Sequence, residues 1–244
     1  MSRRHFLRTC TAVALGLSLL LVHLTSAQRG ATLRIYLARH GQTDWNVEGR
    51  LQGSTDTHLN DTGRQQAREL AKRLTGLQLD AVYSSALSRS RETAEIVHGS
   101  VPLTSLAGLN ERKLGKFEGL RVAATTTAGA PTRASSNDSA VTQEYVRRTT
   151  DPADSLDGGE SLTQFSTRIS TTLATIRKQH ASGTLLIVGH GVTNKMILRA
   201  LLGLTLEQAN TISQANDELY LIELDRAVPP RLWKLITEKT LGEL

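Results

Sequence analysis

The stretch Leu33-Arg34-Ile35-Tyr36-Leu37-Ala38-Arg39-His40-Gly41 decides how this chain is read. A short apolar run of β type stops at a cation, an imidazole and a glycine that turns the backbone. Ligands and chemistry in open α/β sheets gather at such carboxyl ends. Further strand-like runs follow at Asp80–Ser84, Thr184–Gly189 and Glu218–Leu224. Helical patterns alternate with them at Asp61–Leu74, Ser88–Val97, Ser161–His180 and Thr193–Leu202. Asp61-Thr62-Gly63 and Ser161 have the chemistry of helix starts. Leu162, Phe165, Ile169, Leu173 and Ile176 recur at helical spacing, so that helix lays one face on a core. The alternation predicts an α/β fold, with a mostly parallel central sheet and helices on both faces.

The 244 residues are 39% hydrophobic and 21% charged, which is enough for one sizeable core and one domain. The formal net charge is +6, but Arg3, Arg4 and Arg8 precede any acidic residue. Without them 26 basic residues face 23 acidic ones, a mild bias that suits small anionic substrates. Aromatic residues make up only 4%, which argues against base-stacking platforms and so against a nucleic-acid partner.

A basic start, Ser2 to Arg8, is followed by the apolar stretch Ala12 to Leu24 and by the small residues Thr25-Ser26-Ala27. That order is the one found in a secretory signal, and residues 1–27 are expected to be cleaved from a domain of residues 28–244. The apolar stretch is short for a bilayer of about 20 residues per span, so no stable membrane anchor is expected after cleavage. An uncleaved anchor or an internal helix is the competing reading. Arg3-Arg4 ahead of Phe6-Leu7 resembles a twin-arginine signal, with the ordinary secretory route as the alternative. Either route makes the protein exported, periplasmic or secreted. The only cysteine, Cys10, falls inside this segment, so the mature chain is expected to have no disulfide and no thiolate metal site.

Residues 121–158 break the alternation. They are rich in Ser, Thr, Ala, Asp and Gly and can bury little surface of their own. The stretch reads as an insertion, irregular or helical, with a short helix around Val141–Arg148. It is either a lid over the site or a surface loop.

Four polar clusters fall at or after strand ends. They are Arg39 to Asn46; Ser84 to Arg89, continuing to Thr93-Ala94; Leu109-Asn110-Glu111 with Gly115 and Phe117-Glu118-Gly119; and Gly189-His190-Gly191. Parallel strands would bring these tips to one edge, where two histidines, two arginines and a carboxylate converge. Phosphoryl transfer needs such a set. Charge on the peripheral oxygens calls for positioning and electrostatic stabilisation. Guanidiniums bind such oxygens as planar forks, and a helix start after His190 adds free N–H groups. A nucleophilic imidazole splits the displacement into two steps, and the departing alkoxide needs a proton from an acid such as Glu111. Taken singly, each residue has a plainer role. His40 would be a hydrogen-bonded structural residue, Arg89 a surface ion-pair partner, and Glu111 and Glu118 solvated loop charges.

Together the clusters resemble the histidine phosphatase superfamily, branch 1, of phosphoglycerate-mutase-like fold. Arg39 to Asn46 match its R-H-G-x-T-x-x-N opening. Gln52-Gly53 and Asp56 match Q-G-x-x-D, and Ser84 to Ala94 match S-S-x-L-x-R-x-x-x-T-A. Leu109 to Gly119 match L-x-E followed by Gly and E-G, Gly158 to Ser161 match G-G-E-S, and Gly189-His190-Gly191 match G-H-G. The resemblance implies that His40 is the nucleophile and Glu111 the proton donor. Arg39, Arg89 and His190 would surround the phosphoryl group. Asn46 and the Gly191 N–H would complete the pocket, with Gln52 and Gly53 at its rim. It also implies no metal and no cofactor. The acid phosphatase branch carries H-D where this chain has His190-Gly191, which leaves Glu111 as the acid. The mutases' E-R-H-Y is only half kept in Glu111-Arg112-Lys113-Leu114. The function expected is therefore hydrolysis of small phosphate monoesters through phosphohistidine. Mutase-type phosphotransfer and non-catalytic phosphate binding are the alternatives. Arg112, Lys113 and Lys116 are either attractors of a second phosphate or a solvated face. Substrate identity and oligomeric state are not legible in the residues.

Overall fold

Leu185, Leu186, Ile187 and Val188 are all wholly buried, with alternate residues packing into two separate cores. A strand covered on both faces is what a continuous apolar run demands. The computed structural model describes residues 32–122, 136–236 and 239–243. The expected signal segment and residues 123–135 of the insertion lie outside them.

The strands are β1 (Leu33–Arg39), β2 (Ala81–Ser85), β3 (Leu103–Leu106), β4 (Gly183–Gly189), β5 (Leu219–Leu224), β6 (Arg231–Ile236) and β7 (Lys239–Glu243). The helices are α1 (Asp44–Val47), α2 (Asp61–Arg73), α3 (Ser88–Val97), α4 (Ser136–Thr150), α5 (Leu162–Gln179), α6 (Gly191–Leu202) and α7 (Leu206–Thr211). The sheet order is β3-β2-β4-β1-β5-β6-β7. The four strands from β3 to β1 are parallel, and β5, β6 and β7 extend the sheet antiparallel. The expected α/β class is the one observed. The short β3 and the antiparallel edge after β5 are additions to the expectation.

Leu162, Phe165, Ile169, Leu173 and Ile176 of α5 are buried, as their spacing predicted. They pack with Met196, Ile197, Leu198 and Leu201 of α6 on one face of the sheet. Leu70 of α2 and Ala94 of α3 pack on the other face, against Tyr36, Val82 and Val188. α2, which follows β1 and the short α1, and α6, which follows β4, therefore pack on opposite faces of the sheet. Two neighbouring parallel strands that diverge in this way open a crevice at their carboxyl ends. In the β1–β4 register Arg39 stands opposite Gly189, and His40 N–H bonds to Gly189 O at 3.0 Å. The crevice thus begins with His40 and His190 side by side.

The insertion differs from its expected form. Its helix α4 runs over 15 residues rather than around Val141–Arg148. Tyr145 of α4 joins Leu51 in packing on a small third core of Leu114, Phe117 and Leu156. Arg148 ties the end of α4 to Asp154 and Asp157, at 2.7 Å each. Among the described residues no helix is long and apolar enough to cross a membrane.

One backbone contact fixes the mouth of the crevice. A Cβ on Gly41 would land on the Gly63 backbone, and one on Gly63 would land on the Gln42 backbone. The first turn of α2 lies directly against the turn after His40, and Asn60 Oδ1 caps it by accepting from Gly63 N–H at 2.9 Å. The cap is thus Asn60, one residue before the expected start. Gly63→Ala should cost about 1–3 kcal/mol of folding free energy, because backbone rather than a flexible side chain must yield. Urea unfolding of the variant beside the parent chain measures it.

Candidate active site

His40 is 2% exposed. Its Nδ1 lies 2.8 Å from Gly41 O, and a carbonyl only accepts, so Nδ1 carries the proton and Nε2 keeps a lone pair. Burial pushes its pKa well below the ordinary histidine value. The Arg89 and Arg39 charges push the same way, against the Gly41 hydrogen bond. The ring is therefore neutral near pH 7, as a nucleophile must be. Asn216 Nδ2 donates to His40 O at 2.6 Å, and Gly41 N–H donates to Thr93 Oγ1 at 3.0 Å, which holds the turn at both ends.

Arg89 is wholly buried on the first turn of α3. Its Nη1 donates to Thr55 O and its Nη2 to Gly53 O, each at 2.8 Å, and its Nε donates to His190 Nδ1 at 3.2 Å. Burial lowers its pKa to about 10, opposed by Glu111 and Asp56, so it stays a cation. Because His190 Nδ1 accepts from a guanidinium, its Nε2 holds the proton and donates to Ser85 Oγ at 2.7 Å. Burial, followed by the Arg89, His40 and Arg39 charges, also drives the His190 pKa well down. The two imidazole rings lie 5.1 Å apart at 56°. His190 thus lies beside His40, with both of its ring nitrogens engaged by the protein.

Arg39 donates from Nη1 to Gln214 O at 3.0 Å, while its buried Nε has no partner. A buried unpaired donor costs about 1–3 kcal/mol, which a bound anion would relieve. The N–H of Gly191 is also without a partner among the described residues, at the start of α6. A Cβ at Gly191 would lie 3.7 Å from Arg39 Cζ, so both face one space. Asn46 Oδ1 accepts from Thr43 N–H and Oγ1 in a capping box, each at 3.1 Å, which leaves its Nδ2 amide available. Gln52 and Gly53 act at one remove. Gly53 O grips Arg89, and Gln52 Oε1 accepts from Thr57 Oγ1 at 2.6 Å.

Glu111 sits across from these groups. Its Oε1 accepts from Arg112 N–H and Thr193 N–H at 3.0 Å and from Thr193 Oγ1 at 3.1 Å. Its Oε2 accepts only from Val192 N–H, at 3.0 Å, and is the freer oxygen. The Glu111 charge acts on both Arg39 and Arg89.

Several contributors have no motif of their own: Thr193, Gln214, Asn216, Tyr145 and Lys195. Tyr145 of α4 meets the Phe117 ring edge-on at 5.5 Å, and burial with the Glu111 charge pushes its pKa up to about 12. Lys195 of α6 is half-buried in the field of Glu111 and Arg39. The trio Arg112, Lys113 and Lys116 forms no free cationic patch. Arg112 is buried and donates to Glu160 O and Thr149 O, Lys116 pairs with Glu144 and Asp157, and Lys113 alone is exposed and unpaired among the described residues. Glu118 is no solvated loop charge either; it accepts from Ser54, Thr55 and Leu114. Among the described residues, no group of three or more His, Cys, Asp and Glu is placed to hold a metal ion.

The two neutral imidazoles give stability a pH dependence. Below the ordinary histidine value the unfolded chain takes up protons that the folded site refuses. Stability is therefore complete above about pH 6.5 and declines as pH falls below it, by up to about 1.4 kcal/mol per pH unit for each histidine. Guanidinium unfolding between pH 5 and pH 8 should show this slope. His40→Asn should flatten part of it.

A model of the histidine phosphatase superfamily (branch 1) matches residues 35–232. Phosphoglycerate mutase-like protein 4 of Arabidopsis thaliana is 37% identical over 163 residues, which make up 64% of this chain and 66% of that protein. The match spans just under two thirds of the plant protein's length. Among solved structures, Bacillus stearothermophilus YhfR superposes with a TM-score of 0.65 at 31% identity, over 80% of this chain and 92% of that one. A phosphoserine phosphatase variant of Entamoeba histolytica, solved with phosphoserine, superposes with a TM-score of 0.64 at 26% identity, over 82% and 94%. The model spans every strand tip and buried cation described above, and the chain belongs to the histidine phosphatase superfamily, branch 1.

Proposed function

We propose that this protein is a metal-independent phosphatase that hydrolyses small phosphate monoesters through phosphohistidine. The observation that carries the reading is the pairing of a neutral His40, whose Nε2 lone pair is free, with an orphaned Arg39 Nε and the wholly buried cation Arg89. In the first step the His40 Nε2 lone pair attacks phosphorus as the ester P–O bond breaks. Glu111 Oε2 gives its proton to the departing alkoxide. Arg39, Arg89, the Asn46 amide and the Gly191 N–H take the charge on the peripheral oxygens. In the second step Glu111 accepts a proton from water, whose oxygen attacks phosphorus. The P–N bond breaks, the lone pair returns to His40, and orthophosphate leaves.

Mutase-type phosphotransfer is the second reading, favoured by the phosphoglycerate-mutase-like name of the plant relative. Isomerised phosphate ester with little free orthophosphate would select it. Phosphate binding without turnover of any ester would select a non-catalytic binder. Export of the protein rests on residues 1–27 alone. N-terminal sequencing of fractionated protein tests it: a chain starting near residue 28 outside the cytosol supports export, and a cytosolic chain retaining Met1 overturns it.

Hydrolysis of nitrophenyl phosphate should persist with a chelator present and vanish in His40→Ala; full activity in that variant would reject the mechanism. Glu111→Gln should lower kcat/KM for an alkyl phosphate by about 10²–10⁴-fold. The loss should be smaller for nitrophenyl phosphate, whose leaving group needs less protonation.

A further inference from the structure

Glu118 stands outside the reacting groups, yet its carboxylate accepts four hydrogen bonds. Oε1 receives Ser54 N–H and Ser54 Oγ at 2.8 Å and Leu114 N–H at 3.0 Å; Oε2 receives Thr55 Oγ1 at 2.6 Å. Three of the four come from the turn at residues 52–55, closed by Thr55 N–H donating to Gln52 O at 3.0 Å. Gly53 in this turn has φ +52°, and a Cβ there would strike Glu118 Oε1. The same turn supplies Gly53 O and Thr55 O, the two carbonyls that hold the Arg89 guanidinium.

We propose that Glu118 is a positioning residue for the phosphate site: it locks the turn at 53–55 so that its carbonyls aim Arg89 at the phosphoryl group. The proposal rests on the phosphoryl-binding role given to Arg89 above. Mere attachment of the two loops does not need this carboxylate. Leu51 N–H already donates to Leu120 O, Gly119 N–H to Leu51 O, and Arg50 bridges Arg121 in antiparallel fashion. Leu51 also packs on the core of Leu114, Phe117 and Leu156. What Glu118 adds falls on the residues that grip Arg89. Burial pushes its pKa up, but the bonds from Thr55, Leu114 and Ser54 outweigh this and leave it below the usual value, so the clamp is anionic at neutral pH.

Two routes out of Glu118 can be told apart, because Leu114 N–H leads to the loop of Glu111 and the Ser54–Thr55 bonds lead to Arg89. The test is Glu118→Ala, with inorganic phosphate binding followed by calorimetry and turnover of nitrophenyl phosphate and an alkyl phosphate followed in parallel. Phosphate affinity and kcat/KM for both esters should fall by a common factor of about tenfold or more, with the shape of the pH profile kept. Glu118→Gln keeps Oε1 and should stay within about threefold of the parent. Unchanged phosphate affinity in Glu118→Ala overturns the proposal. So does a loss confined to the alkyl ester, which would assign the residue to Glu111. If Glu118→Ala is insoluble, Ser54→Ala combined with Thr55→Val removes the hydroxyl half of the clamp and keeps both Arg89-binding carbonyls; the same two outcomes then decide. A parent protein that binds phosphate but hydrolyses neither ester would defeat the phosphatase reading, while the affinity measurement would still judge Glu118.

Discussion

A guanidinium with no exposed surface, still charged, is the constraint around which this site is built. Withdrawing such an ion from water costs several kcal/mol, and only well-placed acceptors and counter-charges offset it. Arg89 obtains them from Gly53 O, Thr55 O and His190 Nδ1, with Glu111 and Asp56 supplying negative field. Each acceptor carries an obligation. His190 must be neutral with its proton on Nε2, which in turn requires an acceptor at Ser85 Oγ. The turn at 53–55 must hold its carbonyls inward. The first turn of α3 must stay in place, and Asp56 secures it by accepting from Ser88 N–H and Oγ. Burial, and then the two cations, keep both imidazoles unprotonated, while the buried Arg39 Nε has no partner among the described residues.

The parts of this arrangement that could be read from the chain are those with a period or a run. The apolar stretch Leu185–Val188 announced a strand buried on both faces, and the spacing from Leu162 to Ile176 announced α5. Residues at the tips of such elements inherit their location from them, which is why Arg39, His40, Arg89 and His190 could be placed together. What escaped notice lacks any pattern. β3 is four residues long and half-exposed, so Leu103-Thr104-Ser105-Leu106 shows no alternation. Gln214 and Asn216 act through side-chain amide contacts that no spacing foretells. Glu118 and Arg112 are held by backbone groups rather than solvated, for one physical reason. A charged residue in a loop is usually solvated, and only the tertiary fold shows whether backbone donors and acceptors have replaced the water.

The polar groups at the strand tips sit on strand ends and helix starts that the two large cores hold. α4 and the loop after Glu111 are joined instead by the small core of Leu114, Phe117 and Leu156, the Lys116–Glu144 ion pair and the Arg112 bond to Thr149 O. The loop that follows α4 turns at Leu156 and Asp157, both at positive φ without being glycine, and is tied by the Arg148 and Lys116 ion pairs on Asp157.

The start of α6 links the two ends of the proposed reaction. A helix N-terminus offers N–H groups with no partner in the helix, and here they are divided. Gly191 N–H is left for an anion beside Arg39, whereas Val192 and Thr193 N–H go to Glu111. Successive residues of one helical turn cannot move independently, so the gap between the phosphoryl site and the acid is set by backbone geometry. The unequal treatment of the two Glu111 oxygens serves the same end. Oε1, bound three times, anchors the side chain; Oε2, bound once, is the oxygen left for a substrate in the proposed reaction.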